Sequence, residues 1–186
     1  MFPDLLRDDV FRLETPRLWL RWPRAADAAL IANLPQTCLS ESASDFVLHA
    51  REGNLTGRSL SLVLTPKQRP AEAIGVIRLQ AGDGEEAELG FWLGEDHRGQ
   101  GLMREAVQAL GALAFRLCDI DAISASVPPG AEQAARLLAA CGFIPAGPPS
   151  ARRHLLPRVR RPAGYGATGT LATAPSSAIE AGLALE

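Results

Sequence analysis

Apolar and polar residues alternate from Arg17 to Trp22, in the first regular pattern of the chain. The two leucines of this segment and Trp22 fall on one face, which predicts a strand that Pro23 ends. Four later segments also have the composition of strands: Ser59–Leu64, Ala73–Leu79, Ala87–Leu93 and Ala122–Val127. The first three of these are expected to form an antiparallel meander, because a glycine-rich turn at 81–84 separates the second from the third.

The clearest helix is predicted from Leu102 to Leu117, where apolar residues recur every three or four positions in one stripe. A second amphipathic helix is predicted from Glu132 to Cys141, and Phe143 then restarts the chain as a strand. Two more helices are predicted before the meander, at Arg24–Leu34 and Ser42–Arg51. This order of elements predicts a mixed α/β domain of the α+β type. Helices are expected on both faces of a mostly antiparallel sheet with one parallel step.

The length and composition of the chain fit one folded domain. Its 186 residues are 47% apolar, so it can bury a sizeable core. We assign this domain to residues 12–160. Residues 161–186 are rich in Ala, Gly, Thr and Ser and predict a tail or a late hairpin. The formal charge of −2 gives no broad basic surface, which argues against a nucleic-acid partner.

The three cysteines, Cys38, Cys118 and Cys141, lie far apart in the sequence. No pair has the spacing of metal ligands, and the odd number suggests no disulfide framework, so we expect no metal site and a reduced, cytoplasmic setting. The N-terminus lacks the apolar core of a secretory signal. No stretch approaches the roughly 18 consecutive apolar residues of a membrane span, so no membrane attachment is expected.

A glycine-rich turn spans 98–103, between the last meander strand and the clearest helix. The first amides of a helix have no partner within the helix, and the helix dipole adds partial positive charge. Gly99 and Gly101 carry no side chain, so a diphosphate can approach the backbone at this turn. Arg98 and Arg104 can add charge-assisted contacts to phosphate.

Other phosphate-binding motifs fit this turn less well. A dinucleotide fingerprint requires a third glycine where this chain has Arg104, and the G-K-[ST] of a P-loop is absent. On their own, the two glycines are better explained as a plain turn between a strand and a helix. The interpretation therefore depends on the flanking sequence.

The flanking sequence resembles the coenzyme A motif of the GNAT acyltransferase superfamily. The segment 88–94 (Glu-Leu-Gly-Phe-Trp-Leu-Gly) leads into Arg98-x-x-Gly101-x-Met103 and then Glu105-Ala106. The segment 14–21 (Glu-Thr-Pro-Arg-Leu-Trp-Leu-Arg) is similar to the first strand of the branch that includes the ribosomal-protein N-terminal acetyltransferases. The segment 141–143 (Cys-Gly-Phe) matches the G-F signature of that branch. The resemblance covers residues 13–144, and it is the combination of motifs that makes it specific.

The resemblance implies an acetyl-CoA-dependent N-acetyltransferase that moves an acetyl group directly to a primary amine, on a protein N-terminus or a small molecule. Backbone amides of 98–104 would hold the pyrophosphate, and 91–93 would run beside the pantetheine arm like a neighbouring strand. The cofactor-binding residues implied in this way are Phe91, Trp92, Leu93, Arg98, Gly99, Gln100, Gly101, Leu102, Met103 and Arg104. Dimers are common in this superfamily, so a homodimer is implied as well.

Glu88 is the candidate general base, because the acceptor amine must be neutral before it can attack. In a regular strand its side chain shares a face with Gly90 and Trp92. A solvated strand carboxylate is an equally good interpretation of this residue. Three weaker substitutes are Glu41, Asp45 and Glu86.

The last predicted helix departs from the family pattern. Family members often carry Asn-x-x-Ser or a Tyr there, whereas this chain has Ala131, Ala134 and Leu138, whose side chains cannot hydrogen-bond. The usual tyrosine proton donor is missing, and the only tyrosine, Tyr165, lies outside the motif. The sequence therefore leaves open a catalytically inactive coenzyme A-binding or regulatory module of the same fold. An interaction protein that uses the arginine-rich segment 152–161 is a third hypothesis.

Overall fold

A single sheet of eight strands organises the computed structural model, which describes residues 11–32, 42–82, 84–147 and 152–158. The strands are β1 Arg12–Glu14, β2 Leu18–Arg21, β3 Ser59–Pro66, β4 Gly75–Ala81, β5 Glu86–Leu93, β6 Ala122–Ser126, β7 Ile144–Ala146 and β8 Arg153–Pro157. The α-helices within these residues are α1 Ala28–Ile31, α2 Ala43–Thr56, α3 Leu102–Leu117 and α4 Glu132–Ala140.

The spatial order of the strands is β1-β2-β3-β4-β5-β6-β8-β7. All neighbours are antiparallel except β5 and β6, which run parallel with α3 as their connection. The predicted fold class is therefore confirmed, including the β3-β4-β5 meander and the single parallel step.

The two faces of the sheet are covered by different helices. The larger apolar cluster includes buried residues of α3 and α4, such as Leu110 and Leu138, together with leucines and isoleucines of β2 to β6. A smaller cluster joins α1 and α2 to Val76 and Trp92 on the opposite face. Helices thus lie on both faces, as the sequence predicts.

Strand β3 is buried on both of its faces, whereas the sequence predicts only one apolar face for it. Leu60, Leu62 and Leu64 belong to the larger cluster, while the side chain of Ser61 is fully buried on the other face. Asn54 of α2 donates to the carbonyl of Ser61 at 2.9 Å and accepts from its amide at 2.7 Å. This side-chain pairing attaches α2 to β3, and α2 continues to Thr56, beyond the predicted end at Arg51.

The helix predicted at 24–34 is shorter and irregular where it is described. A 3-10 turn at Ala25–Asp27 precedes α1, and residues 33–41 lie outside the described part of the chain. The irregularity has a chemical cause, because Asp27 turns inward and binds Arg21 with two contacts of 2.8 Å. Its carboxylate also accepts from the amide of Arg24 at 2.7 Å.

The arginine-rich segment 152–161, for which the sequence predicts no strand, begins with β8. This strand lies between β6 and β7, and Leu156 packs against the larger cluster. Arg153 forms an ion pair with Glu86, and Arg158 donates to the carbonyl of Ile120 at 3.3 Å. Residues 159–186, which contain the rest of the segment and the predicted tail, lie outside the described residues.

Cys118 and Cys141 pack with the larger cluster as small apolar residues, as expected from their helical positions. Burial raises the pKa of both thiols. Cys38 lies outside the described residues. Among the helices of the described part, none has both the length and the apolar content needed to cross a membrane.

Candidate active site

A cleft opens where β5 and β6 separate. Their parallel ladder has three pairs, from Glu86 opposite Ala122 to Glu88 opposite Ser124, and no further pair follows although β5 continues to Leu93. The resulting cleft has a volume of about 1210 Å³ and reaches the start of α3 and the inner side of α4. One edge of the second half of β5 thus has no strand partner in the described part of the chain.

The glycine-rich turn forms one end of this cleft. Gly99 and Gly101 have left-handed backbones, with φ of 74° and 75°, which glycine adopts without strain. Gly101 is the N-cap of α3 and offers no side-chain cap. Within the described residues none of the amides from Gly99 to Arg104 donates a hydrogen bond. The turn therefore presents unpaired donors at a helix N-terminus, the arrangement that binds anions.

A clamp formed by Thr15, Arg17 and Glu105 fixes this turn to the β1–β2 connection. The Glu105 carboxylate accepts from the Thr15 hydroxyl at 2.5 Å and from the amide and Nε of Arg17 at 2.8 and 2.7 Å. The same arginine donates from Nη1 to the carbonyl of Gln100 at 2.9 Å. Burial alone raises the pKa of Glu105, but these hydrogen bonds and the positive charge of Arg17 outweigh it, so the pKa lies below 4.5.

Replacing Glu105 with Gln is expected to lower the stability at neutral pH by about 1–2 kcal/mol, because neutral acceptors bind these donors more weakly and Arg17 is half exposed. A carboxyl with a lowered folded pKa contributes stability above its unfolded pKa and loses it as the pH falls through the folded pKa. The difference in Tm between the two proteins should therefore be full at pH 7 and close progressively below pH 4.5. Thermal melts from pH 7 to 3 measure it, and a difference that does not change with pH would contradict this account.

The arginines of the cleft differ in how they are bound. The Nε of Arg98 donates to the carbonyl of Leu93 at 3.0 Å, and its Nη1 donates to Glu95 at 3.3 Å. The side chain predicted to reach phosphate is thus partly engaged within the protein. Arg104 and Arg136 line the cleft and form no ion pair within the described residues. Arg136, on α4, is a cleft residue that the sequence did not indicate.

The wall of the cleft contains the predicted residues of β5 and the start of α3. Phe91 packs against the larger apolar cluster and Trp92 against the smaller one. The cleft is lined by every predicted cofactor residue except Gln100, namely Phe91, Trp92, Leu93, Arg98, Gly99, Gly101, Leu102, Met103 and Arg104. The side chain of Gln100 instead donates to the carbonyl of Asp96 at 3.0 Å.

Glu88 lies at the point where the two strands separate, and its exposed side chain lines the cleft. It makes no hydrogen bond or ion pair with the described part of the chain. The substitutes are less suitable. Glu86 is bound to Arg153 and Ser124, which lower its pKa despite an opposing effect of burial, and Asp45 accepts from Ser42 at 2.6 Å. Glu41 lies outside the described residues.

Helix α4 supplies no acid to the cleft from the positions considered in the sequence. Ala131 and Ala134 line it, while Leu138 is fully buried. The described residues also contain no group of three or more His, Cys, Asp or Glu side chains that could hold a metal ion. The chemistry available is therefore that of unpaired amides, arginines and one free carboxylate.

Comparisons with solved structures agree with this architecture. A putative ribosomal-protein-serine acetyltransferase from Vibrio cholerae superimposes with a TM-score of 0.67 at 19% identity, over 84% of this chain and 99% of that one. RimL, a ribosomal L7/L12 alpha-N-protein acetyltransferase in complex with coenzyme A, gives a TM-score of 0.64 at 19% identity, over 74% and 86%. MccE, a microcin C7 self immunity acetyltransferase in complex with acetyl-CoA and AMP, gives 0.66 at 15%, over 82% and 98%.

At these identities the structural likeness shows the fold alone, and no curated protein matches the sequence. The family is shown by a different comparison. The model of the acetyltransferase (GNAT) domain matches residues 17–144, which contain the glycine-rich turn, Glu88 and most of the sheet. The resemblance found in the sequence is therefore confirmed, and the chain belongs to the GNAT acetyltransferase family.

Proposed function

We propose that this protein is an N-acetyltransferase that uses acetyl-CoA as donor and transfers the acetyl group directly to a primary amine. The observation that carries the proposal is one continuous cleft with unpaired helix amides at one end and the free carboxylate of Glu88 beside the separated strands. The first feature suits a diphosphate and the second suits an ammonium group that must lose a proton.

The residues present fit coenzyme A at three points. Amides of 99–104 would bind the pyrophosphate, whereas the amide of Arg98 already donates to the carbonyl of Glu95 at 3.1 Å. Arg104 and Arg136 are placed to add charge-assisted hydrogen bonds to phosphate. A side chain at Gly99 would meet nothing within 4 Å, so the space above the turn is open for a ligand. The unpaired edge of β5 at 89–93 would accept the pantetheine arm as a neighbouring strand. When bound, acetyl-CoA supplies an acetyl group activated as a thioester.

Glu88 would hold the proton that the acceptor amine must lose, directly or through a water molecule. An α-amino group has a reference pKa of about 7.7–8.0, whereas that of a lysine amine is about 10.4. An α-amine therefore requires little help at neutral pH, and a lysine-like amine depends more strongly on the base. A thiol with a pKa of about 8.5 leaves without a strong acid, so the alanines of α4 do not prevent turnover.

The test is thiol release from acetyl-CoA with a panel of peptides, polyamines, amino sugars and amino acids. Replacing Glu88 with Gln is expected to reduce turnover about 100-fold or more while acetyl-CoA binding is retained, because a positioned base contributes roughly 10²–10⁴. Glu52→Gln is the matched control, since that carboxylate pairs with Arg58 on an exposed part of α2, outside the cleft.

The same experiment separates the proposal from an inactive coenzyme A-binding module. The specific observation that favours this second function is the absence of a hydrogen-bonding side chain at Ala131, Ala134 and Leu138. An inactive coenzyme A-binding module predicts a thermal shift with acetyl-CoA and no thiol release with any acceptor. Thiol release that is reduced in Glu88→Gln and retained in Glu52→Gln would exclude the inactive module.

A further inference from the structure

An open polar surface borders the cleft on the side of the sheet away from α3. Arg78 and Gln80 of β4 lie directly opposite Gly90 and Glu88 of β5. All four residues line the same cleft as the glycine-rich turn. Because facing residues in a ladder share a face, Arg78 and Glu88 occupy diagonal positions on one surface.

Arg78 is a half-buried cation to which the described residues supply no anion. Its Nε is inaccessible to solvent and has no hydrogen-bond partner, and no carboxylate of the described residues forms an ion pair with it. Two arginines on other strands differ, because Arg21 is bound to Asp27 and Arg153 to Glu86. A buried donor without a partner carries a desolvation cost that an anionic ligand would remove.

Glu88 is the complementary charge, and it too has no partner among the described residues. Diagonal neighbours on an antiparallel pair lie roughly 7–8 Å apart, so long side chains at these positions can reach each other. They nevertheless form no ion pair with each other. One cleft therefore displays a free anion and a free cation on adjacent strands.

The space between these two charges is kept open by Gly90. Its backbone is not left-handed, and a Cβ at this position would meet no atom within 4 Å. Nothing in the packing thus requires glycine here. Glycine within a strand often marks a place where a ligand approaches the backbone.

We propose that the acceptor is a small amine that also carries a carboxylate, with the amine near Glu88 and the carboxylate bound by Arg78. This inference rests on the proposed acetyl transfer and names the substrate class of the same site. A guanidinium binds a carboxylate through two parallel hydrogen bonds, which also fixes the orientation of the amine. A polyamine would instead place a second cation beside Arg78 and is therefore disfavoured.

Thiol release is measured with matched acceptors, each a free amino acid and the same amino acid as its C-terminal amide. The ratio of kcat/KM for the free amino acid to kcat/KM for its amide is expected to be about 10- to 100-fold higher in the wild-type protein than in Arg78→Gln. This factor is the size of a charge-assisted contact. Comparing this ratio between proteins cancels the different basicity of the two amines. Arg78→Lys should retain part of the preference.

Two further readouts exclude a merely structural effect. Arg78→Gln should leave the thermal shift with acetyl-CoA unchanged, because Arg78 is not among the groups expected to hold the cofactor. It should lower kcat/KM for the carboxylate acceptors more than for the amide acceptors, because only the former lose an ionic contact. If the ratio of kcat/KM for acid and amide acceptors is the same in wild type and Arg78→Gln, the inference about the acceptor is overturned, but the proposed acetyl transfer is not. The same holds if the best acceptor is a polyamine or a peptide with no carboxylate near its N-terminal amine. No thiol release with any acceptor would overturn the proposed acetyl transfer together with the inference about the acceptor.

Discussion

Replacing Gly101 with Val is expected to abolish the stabilisation of the protein by acetyl-CoA. In the wild type a ligand at 100 times its Kd should add about 2.7 kcal/mol to the free energy of unfolding. Valine at φ of 75° is strained, and its Cβ would lie 3.6 Å from Nη2 of Arg17, so the substitution should displace the turn that presents the amides at the start of α3. Thermal unfolding with and without millimolar acetyl-CoA measures the effect.

Gly84→Val is the matched control for this variant. Gly84 also has a left-handed backbone, with φ of 63°, and a Cβ there would meet nothing within 4 Å. It lies in the turn between β4 and β5 and does not line the cleft. Both variants should lose about 1–3 kcal/mol through strain, but only Gly84→Val should keep the ligand effect. A full ligand shift in Gly101→Val would show that the diphosphate binds elsewhere.

Replacing Asp27 with Ala is expected to destabilise the protein by about 3–5 kcal/mol, because it leaves a buried guanidinium without its partner. The side chains of Arg21 and Asp27 are only 9% and 4% exposed, and two hydrogen bonds of 2.8 Å join them. The substitution also removes the acceptor of the Arg24 amide. Urea denaturation at neutral pH, with the same m-value for both proteins, measures the change.

Two comparisons identify the lost charge pairing as the cause. The double variant Arg21→Met, Asp27→Leu should recover much of the loss, because well-packed apolar residues often replace a buried ion pair at little cost. Glu52→Gln, which breaks an exposed pair with Arg58, should cost less than about 1 kcal/mol. An effect of Asp27→Ala no larger than that of Glu52→Gln would mean that the pair contributes little.

The elements of the fold that follow from local sequence are those with a sustained period. The stripe of apolar residues predicts α3 at its observed bounds, Leu102–Leu117, and alternation predicts β2. Strands β1 and β8 could not be predicted in this way, because β1 has only three residues and β8 has two adjacent leucines in place of an alternation. β8 also ends in a proline, and its pairing with β6 and β7 makes it a strand.

The candidate site likewise combines features that local sequence predicts with features that it does not. The glycine-rich turn and Glu88 are local features, so sequence reasoning locates them. The clamp joins Arg17 to Glu105 across 88 positions of the sequence. The role proposed for Arg78 depends on the residues it faces on β5 and on the lack of an ion-pair partner among the described residues. Such relations depend on register and packing, which a single sequence does not contain.

The insertion of β8 between β6 and β7 constrains how the domain can assemble. Among the described strands β7 pairs with β8 alone, so β7 cannot join the sheet before β8 does. On a ribosome, which delivers the chain from its N-terminus, β8 is the last described strand to emerge. Residues 153–158 must therefore leave the exit tunnel before this half of the sheet can close. Nascent chains arrested short of that point should expose the unpaired edge of β6 to chaperones and to aggregation.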